Sequence, residues 1–190
     1  MLPELLQKAN LFSLLYKIDH DLAETAKANG CRFCRSRLDS ANYFRKPRGG
    51  PADIDEDYLV RFSLCCSREG CRRRTLPPST RFDGSRVYWS CVILVVMALR
   101  QNQPESSSIR RLQRMFSISR QTITRWIRYF SEEFPVGEQW KRLRGRLDAE
   151  VGNSRLPGDL LIRFMERFHP PETALVKCLQ FMADGSGSVT

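Results

Sequence analysis

The chain has 190 residues, 42% of them hydrophobic, with 31 lysines and arginines against 21 acidic residues and a formal net charge of +10. Its opening, MLPELLQKANLFSLLYKIDHDLAETAK, lacks the basic start and small-residue cleavage site of a secretory signal. The longest nearly apolar run, Val87 to Leu99, falls short of the ~20 residues needed to cross a bilayer, and seven cysteines, an odd number, argue against a disulfide scaffold. The expectation is a cytoplasmic protein with no membrane partner, built as one compact domain or two or three small ones.

Residues 1–30 are expected to form an amphipathic helix over Leu2 to Lys27. Leu11, Leu14, Leu15, Ile18 and Leu22 recur at helical spacing, and Asn29-Gly30 supplies a stop. The apolar face is expected to pack on the segment C-terminal to it or on a partner chain, which includes self-association through this helix.

Residues 31–84 have the composition of short strands around turns. NYFR and YLVRFSLCC are strand-like, KPRGGPADIDED between them is a loop, and LPPST ends the region. Cys31-Arg32-Phe33-Cys34 is a C-x2-C knuckle, and Cys66 with Cys71 makes a second one with four residues between. Paired cysteines on two tight turns suit tetrahedral thiolate coordination, so Cys31, Cys34, Cys66 and Cys71 are the expected ligands of one structural Zn2+. Cys65 competes with Cys66, but strand side chains alternate faces and both cannot point at one metal. The shorter loop to Cys71 favours Cys66, which leaves Cys65 as a small packed hydrophobe. Cys91 and Cys178 are read as structural. Thioredoxin-like redox chemistry lacks its βαβ context here. A catalytic zinc lacks its partners, since the two histidines, His20 and His169, are both distant in sequence. Arg61 to Arg86 holds seven basic and two acidic residues. Within it Arg72, Arg73 and Arg74 leave the second knuckle either as phosphate contacts or as a solvated basic turn.

Residues 85–135 change character. VYWSCVILVVMAL is apolar and β-branched, and the clear helices after it favour a buried first helix of a three-helix unit. In SSSIRRLQRMFSISRQTITRWIRYF, Ile109, Leu112 and Phe116 share one face, Ile118 plugs the core from a short turn, and Ser119 caps a second helix. That helix turns Ile123, Trp126, Ile127 and Phe130 inward and Arg120, Gln121, Thr124, Arg125 and Arg128 outward. This is the pattern of a helix-turn-helix, whose second helix enters the major groove. Arg reads guanine, Gln reads adenine and Thr meets the thymine methyl, while Arg110, Arg111 and Arg114 on the first helix would contact phosphates. Arg100 to Arg146 holds eleven basic and four acidic residues, and clustered charge of this kind points to a polyanion such as double-stranded DNA.

Residues 136–190 form a tail with two expected short helices, at 157–168 and 172–183, separated by Pro170-Pro171. The fold class expected overall is mainly α with a small β zinc ribbon: N-terminal helix, ribbon, helix-turn-helix bundle and C-terminal helices.

The run from the first knuckle through YLVRFSLCC and CRRRTLPPSTRF to Trp89 resembles the N-terminal zinc ribbon of insertion-sequence transposases and their small DNA-binding subunits. FSISRQTITRWI is similar to the helix-turn-helix of transposases and resolvases, and the likeness covers roughly residues 31 to 130. Ser117 stands where such turns often carry Gly, and Gln113 where a small residue is usual. The resemblance implies a transposase-related subunit or accessory protein of a mobile genetic element, working with a catalytic transposase subunit. A catalytic domain of the RNase H type would need more chain than lies beyond Phe130, and Asp148, Glu150, Asp159 and Asp184 lack strand context. The expectation is therefore a DNA-binding protein and not an enzyme. A zinc-dependent transcriptional regulator, a truncated transposase and a protein-interaction adaptor are the alternatives.

Overall fold

The structure is a computed structural model that describes residues 2–84, 86–102, 108–147 and 151–184. Two N-terminal helices, α1 (Leu2–Leu5) and α2 (Ala9–Ala28), stand where one was expected. The amides of Leu6, Gln7 and Lys8 bond to carbonyls three residues back, which tightens the turn and interrupts the α-helical ladder. The buried face of α2 is also turned from the expected one. Leu11, Phe12, Leu15 and Ala23 are buried, whereas Leu14 is 44% exposed. The cause is Asp19, fully buried on the same side, whose carboxylate is held by residues 79–81 and draws its neighbours inward. α2 ends at Ala28, and Gly30 adopts φ +69°, where an added Cβ would come 3.0 Å from the Arg35 carbonyl.

The β content divides into two small antiparallel sheets. β1 (Leu38–Ser40), β4 (Leu64–Cys66) and β5 (Arg74–Thr75) form one in the order β1-β4-β5, and β2 (Tyr43–Phe44) pairs with β3 (Val60–Arg61) in the other. The expected strand YLVRFSLCC is therefore interrupted twice. Tyr58 and Leu59 close a 3-10 turn (Glu56–Leu59) capped by the Asp55 side chain. Ser63 leaves the ladder to donate its amide to Asn42 Oδ1 at 3.0 Å.

The apolar run becomes helix α3 (Ser90–Asn102), in which every residue from Cys91 to Ala98 is buried. It begins one residue after Trp89, which forms an isolated bridge with Phe82. A pair of short helices comes next, α4 (Ile109–Phe116) and α5 (Arg120–Arg128), then a π turn (Tyr129–Glu133) and a 3-10 turn (Phe134–Val136). α6 (Glu138–Arg144) was not expected; within EQWKRLR, Trp140 and Leu143, three apart, are buried. The tail helices α7 (Gly158–Arg167) and α8 (Pro171–Asp184) fall where the sequence put them.

The fold is thus mainly α with small antiparallel sheets. One apolar core joins Leu5, Phe12 and Leu15 to α3, to Leu112, Ile123 and Phe130, and to Leu160, Phe164, Leu175 and Phe181. α3 is its axis, in contact with α5, α7 and α8, while α2 meets α8. Cys31, Leu38, Leu64 and Cys66 form a separate, much smaller core. Among the described residues no helix is long and apolar enough to cross a membrane.

The loop Lys46–Pro51 is pressed onto the start of α3. A Cβ on Gly50 would lie 2.5 Å from Trp89 Nε1, and Gly49 adopts φ +84° against Val92. Gly50→Ala is expected to lower stability by about 1–3 kcal/mol through overpacking, read as a fall in Tm. Gly145→Ala, where nothing lies within 4 Å of the new methyl and φ is negative, should melt with the parent.

Candidate metal centre and basic helical face

The four cysteines expected to bind metal converge. Cys31, Cys34, Cys66 and Cys71 place their sulfurs within 4.8 Å of one another, close enough to bind one metal ion. Cys31 and Cys71 sulfurs are 3.8 Å apart and those of Cys34 and Cys66 are 3.4 Å apart. A tetrahedron with metal–sulfur distances of ~2.3 Å has edges of about 3.8 Å, so the donor set fits zinc.

Two turns of the same design bring the sulfurs together. Each places the residue after its second cysteine in the left-handed region, Arg35 at φ 61° and Arg72 at φ 44°. The Arg35 amide donates to the Cys31 carbonyl at 2.7 Å, and the Cys31 amide to Ser36 O at 2.9 Å. In the second turn the Cys71 and Arg72 amides both donate to Arg68 O, at 3.1 and 3.2 Å, and Gly70 takes φ 82° to admit the longer loop. The β1–β4 register, Leu38 opposite Cys66, sets the second turn beside the first.

The protonation landscape of the cluster is asymmetric. The Phe33 amide lowers the Cys31 thiol, and the Ser36 hydroxyl and amide bring Cys34 down to about 6. Burial pushes Cys66 up to about 12. A metal entering this site replaces protons, that of Cys66 in particular.

Cys65 stands on the opposite face of β4, as alternation requires. It is half-buried rather than packed in a core, with its Sγ 3.5 Å from Arg72 O. Cys91 and Cys178 are buried, and burial raises both thiols.

The three arginines after the second knuckle are all exposed but diverge. Arg72 occupies the left-handed turn, Arg73 lies 4.2 Å from the Phe33 ring centroid, and Arg74 sits in β5 with its guanidinium 5.7 Å from the Tyr43 ring. Of the seven basic residues in the Arg61–Arg86 block, two are interior: Arg61 is 7% exposed and Arg81 fully buried.

α4 and α5 are joined by a turn whose details are local chemistry. Ser108 caps α4 by accepting the Arg111 amide, and Ser119 caps α5 by accepting that of Thr122 at 3.2 Å. Ser117 adopts φ 51°, ψ 40°, the left-handed conformation that would favour glycine. Leu112, Phe116, Ile118, Ile123, Trp126 and Phe130 are buried, and Ile109 and Ile127 pack partly against the same core. Tyr88 meets Trp126 edge-on at 5.1 Å and helps fix α5.

With its apolar side committed, the pair exposes Arg110, Arg111, Arg114, Arg120, Gln121, Thr124, Arg125 and Arg128. Arg128 is joined to Glu132, one turn on, at 3.0 Å. Beside the pair lies Arg86, a residue whose only signal in the sequence is its membership of a basic block. Its guanidinium sits 4.0 Å from the Tyr129 ring centroid and pairs with Asp83 at 2.6 Å.

No family model matches this chain, and no curated protein or solved structure matches it either.

Proposed function

We propose that this chain is a DNA-binding protein in which α4 and α5 act as a helix-turn-helix and the four cysteines hold one structural Zn2+ in a zinc ribbon. The observation that carries the reading is the junction at Ser117–Ser119. A left-handed turn and a capped helix start coincide with apolar residues that, exposed Met115 apart, face the core, so the first turns of α5 offer Arg120, Gln121, Thr124 and Arg125 to solvent. Those side chains match base-edge chemistry, and the arginines of α4 match phosphates. Arg128 is held by an exposed ion pair with Glu132, a weak tie that a phosphate can replace.

Zinc in this reading supplies rigidity and no chemistry: all four positions are filled by thiolates, leaving none for a substrate. The resemblance of the ribbon and of FSISRQTITRWI to insertion-sequence transposases favours a transposase-related DNA-binding subunit or accessory protein, acting with a catalytic partner chain. No catalytic residue is assigned.

Selection of bound duplexes from a random pool tests the reading. Arg120→Ala with Arg125→Ala should flatten the base preference, each lost bidentate contact costing about 1–3 kcal/mol of discrimination. Arg110→Ala with Arg114→Ala should weaken all duplexes alike and reduce the salt slope. An unchanged base preference in the first variant would exclude α5 as the reader. An enriched inverted repeat favours transposition, and a promoter-like site favours a transcriptional regulator.

A further inference from the structure

We propose that the first cysteine knuckle carries a second nucleic-acid contact: Phe33, flanked by Arg32 and Arg73, stacks an unpaired base of single-stranded DNA. Phe33 lies between two cysteines of the metal cluster and is nevertheless 47% exposed. Its ring has the guanidinium of Arg73 at 4.2 Å and that of Arg32 at 4.7 Å from its centroid.

The ring is held by a rigid turn. The Arg35 amide closes onto the Cys31 carbonyl at 2.7 Å, so the knuckle presents Phe33 in a fixed place. Next to the ring is a shallow groove of about 470 Å³, whose far wall is the turn Arg68–Gly70. Gly70 leaves the wall open, with nothing within 4 Å of where a side chain would begin.

The occupant is set by charge and shape. Exposed Arg68 and Arg73 line the groove with Glu69 and the metal-ligating Cys34 and Cys71, and exposed Arg32 lies over the ring, so three guanidiniums converge on Phe33 and favour an anionic ligand. An exposed aromatic face held between arginines recognises a flat π system joined to phosphate, which is a nucleotide. A base inside a duplex is already stacked on both sides and cannot reach the ring, so the strand is unpaired. A base entering against Phe33 displaces one guanidinium from the ring face and leaves it free to meet the adjoining phosphate. This contact uses no residue of α4 or α5 and is independent of duplex recognition by that pair.

The test uses the full chain and a fluorescently labelled ten-nucleotide oligo-dT. Phe33→Ala should weaken oligo-dT binding about tenfold with metal content and duplex affinity unchanged. Phe33→Trp should restore binding and add an exposed fluorophore to the three buried tryptophans, quenched as the oligonucleotide saturates. Arg120→Ala with Arg125→Ala should impair duplex reading and leave oligo-dT binding intact, so the two proposals fail separately. Undiminished oligo-dT affinity in a metal-loaded Phe33→Ala, no oligo-dT binding by the parent, or unquenched Trp emission in Phe33→Trp would each overturn the assignment. Should Phe33→Ala lose metal, the quenching result in Phe33→Trp decides alone. A strong preference for oligo-rU over oligo-dT would overturn the choice of DNA.

Discussion

Cys66→Ser is expected to abolish metal binding and to disorder the two cysteine turns and the strands that carry them, residues 31–40 and 64–75, whereas Cys65→Ser should leave one metal per chain and an unchanged fold. The two residues are adjacent and chemically identical, so the contrast isolates geometry. Cys66 is fully buried with its sulfur 3.4 Å from that of Cys34, while Cys65 points across the strand toward Arg72 O. Apart from cysteines, the small core holds Leu38 and Leu64 as its buried residues, too little apolar surface to order the two cysteine turns without a cross-link. Because burial pushes the Cys66 thiol up to about 12, it carries its proton at neutral pH and metal loading must displace that proton. Metal affinity should therefore rise with pH, and acid should release the ion. Metal analysis after gel filtration, with amide exchange across residues 31–75, reads both variants. Equal metal loss in Cys65→Ser, or full retention in Cys66→Ser, would reverse the ligand assignment.

What the sequence made legible was whatever is fixed by short-range chemistry. Cysteine ligation demands one residue type at tight spacing, so both knuckles could be found without knowing the fold. Strand alternation meant that Cys65 and Cys66 could not both face one metal, and the shorter loop to Cys71 favoured Cys66. Ser108 and Ser119 cap their helices through amides three residues away, again a local event. The tail helices were bounded by prolines and by their apolar spacing.

What escaped depended on partners far along the chain. The break after α1, the two small sheets and α6 all answer to tertiary packing, which no window of a dozen residues contains. Phe33 reads as a spacer between ligands in the sequence, and only the fold sets Arg73, forty residues on, beside its ring. Net charge misled most. Arg61 and Arg81 belong to the basic surplus that points to a polyanion, yet Arg61 spends its guanidinium on the Phe62 and Pro77 carbonyls, at 3.1 and 2.6 Å. Asp19, in the middle of an amphipathic helix, carried no sign that it would be buried.

Asp19→Ala is expected to destabilise the protein by about 3–5 kcal/mol, the cost of leaving a buried cation without its partner. Arg81 and Asp19 are both fully buried and meet at 2.9 Å. The remaining Arg81 donors reach Tyr58 O at 2.6 Å and Val60 O at 3.0 Å, and Tyr16, Phe62 and Phe82 surround the guanidinium. Asp19 also accepts from the Thr80 amide at 2.6 Å and from the Ser79 and Thr80 hydroxyls. One carboxylate on α2 thus fastens the segment before α3 and, through Arg81, the strand that leads to Cys66. Loss of the pair should loosen the cysteine module from the helical core, not only lower the melting point. At roughly 2–4 °C per kcal/mol for a chain of this size, Tm should fall by about 10 °C. Arg81→Met with Asp19→Leu should cost less than the two single changes summed, because the double variant leaves no unpaired charge. Thermal unfolding of the four proteins in one cycle measures the coupling. A Tm for Asp19→Ala within about 2 °C of the parent, less than 1 kcal/mol on the same scale, would mean that the pair contributes nothing, and that packing alone holds the cysteine module in place.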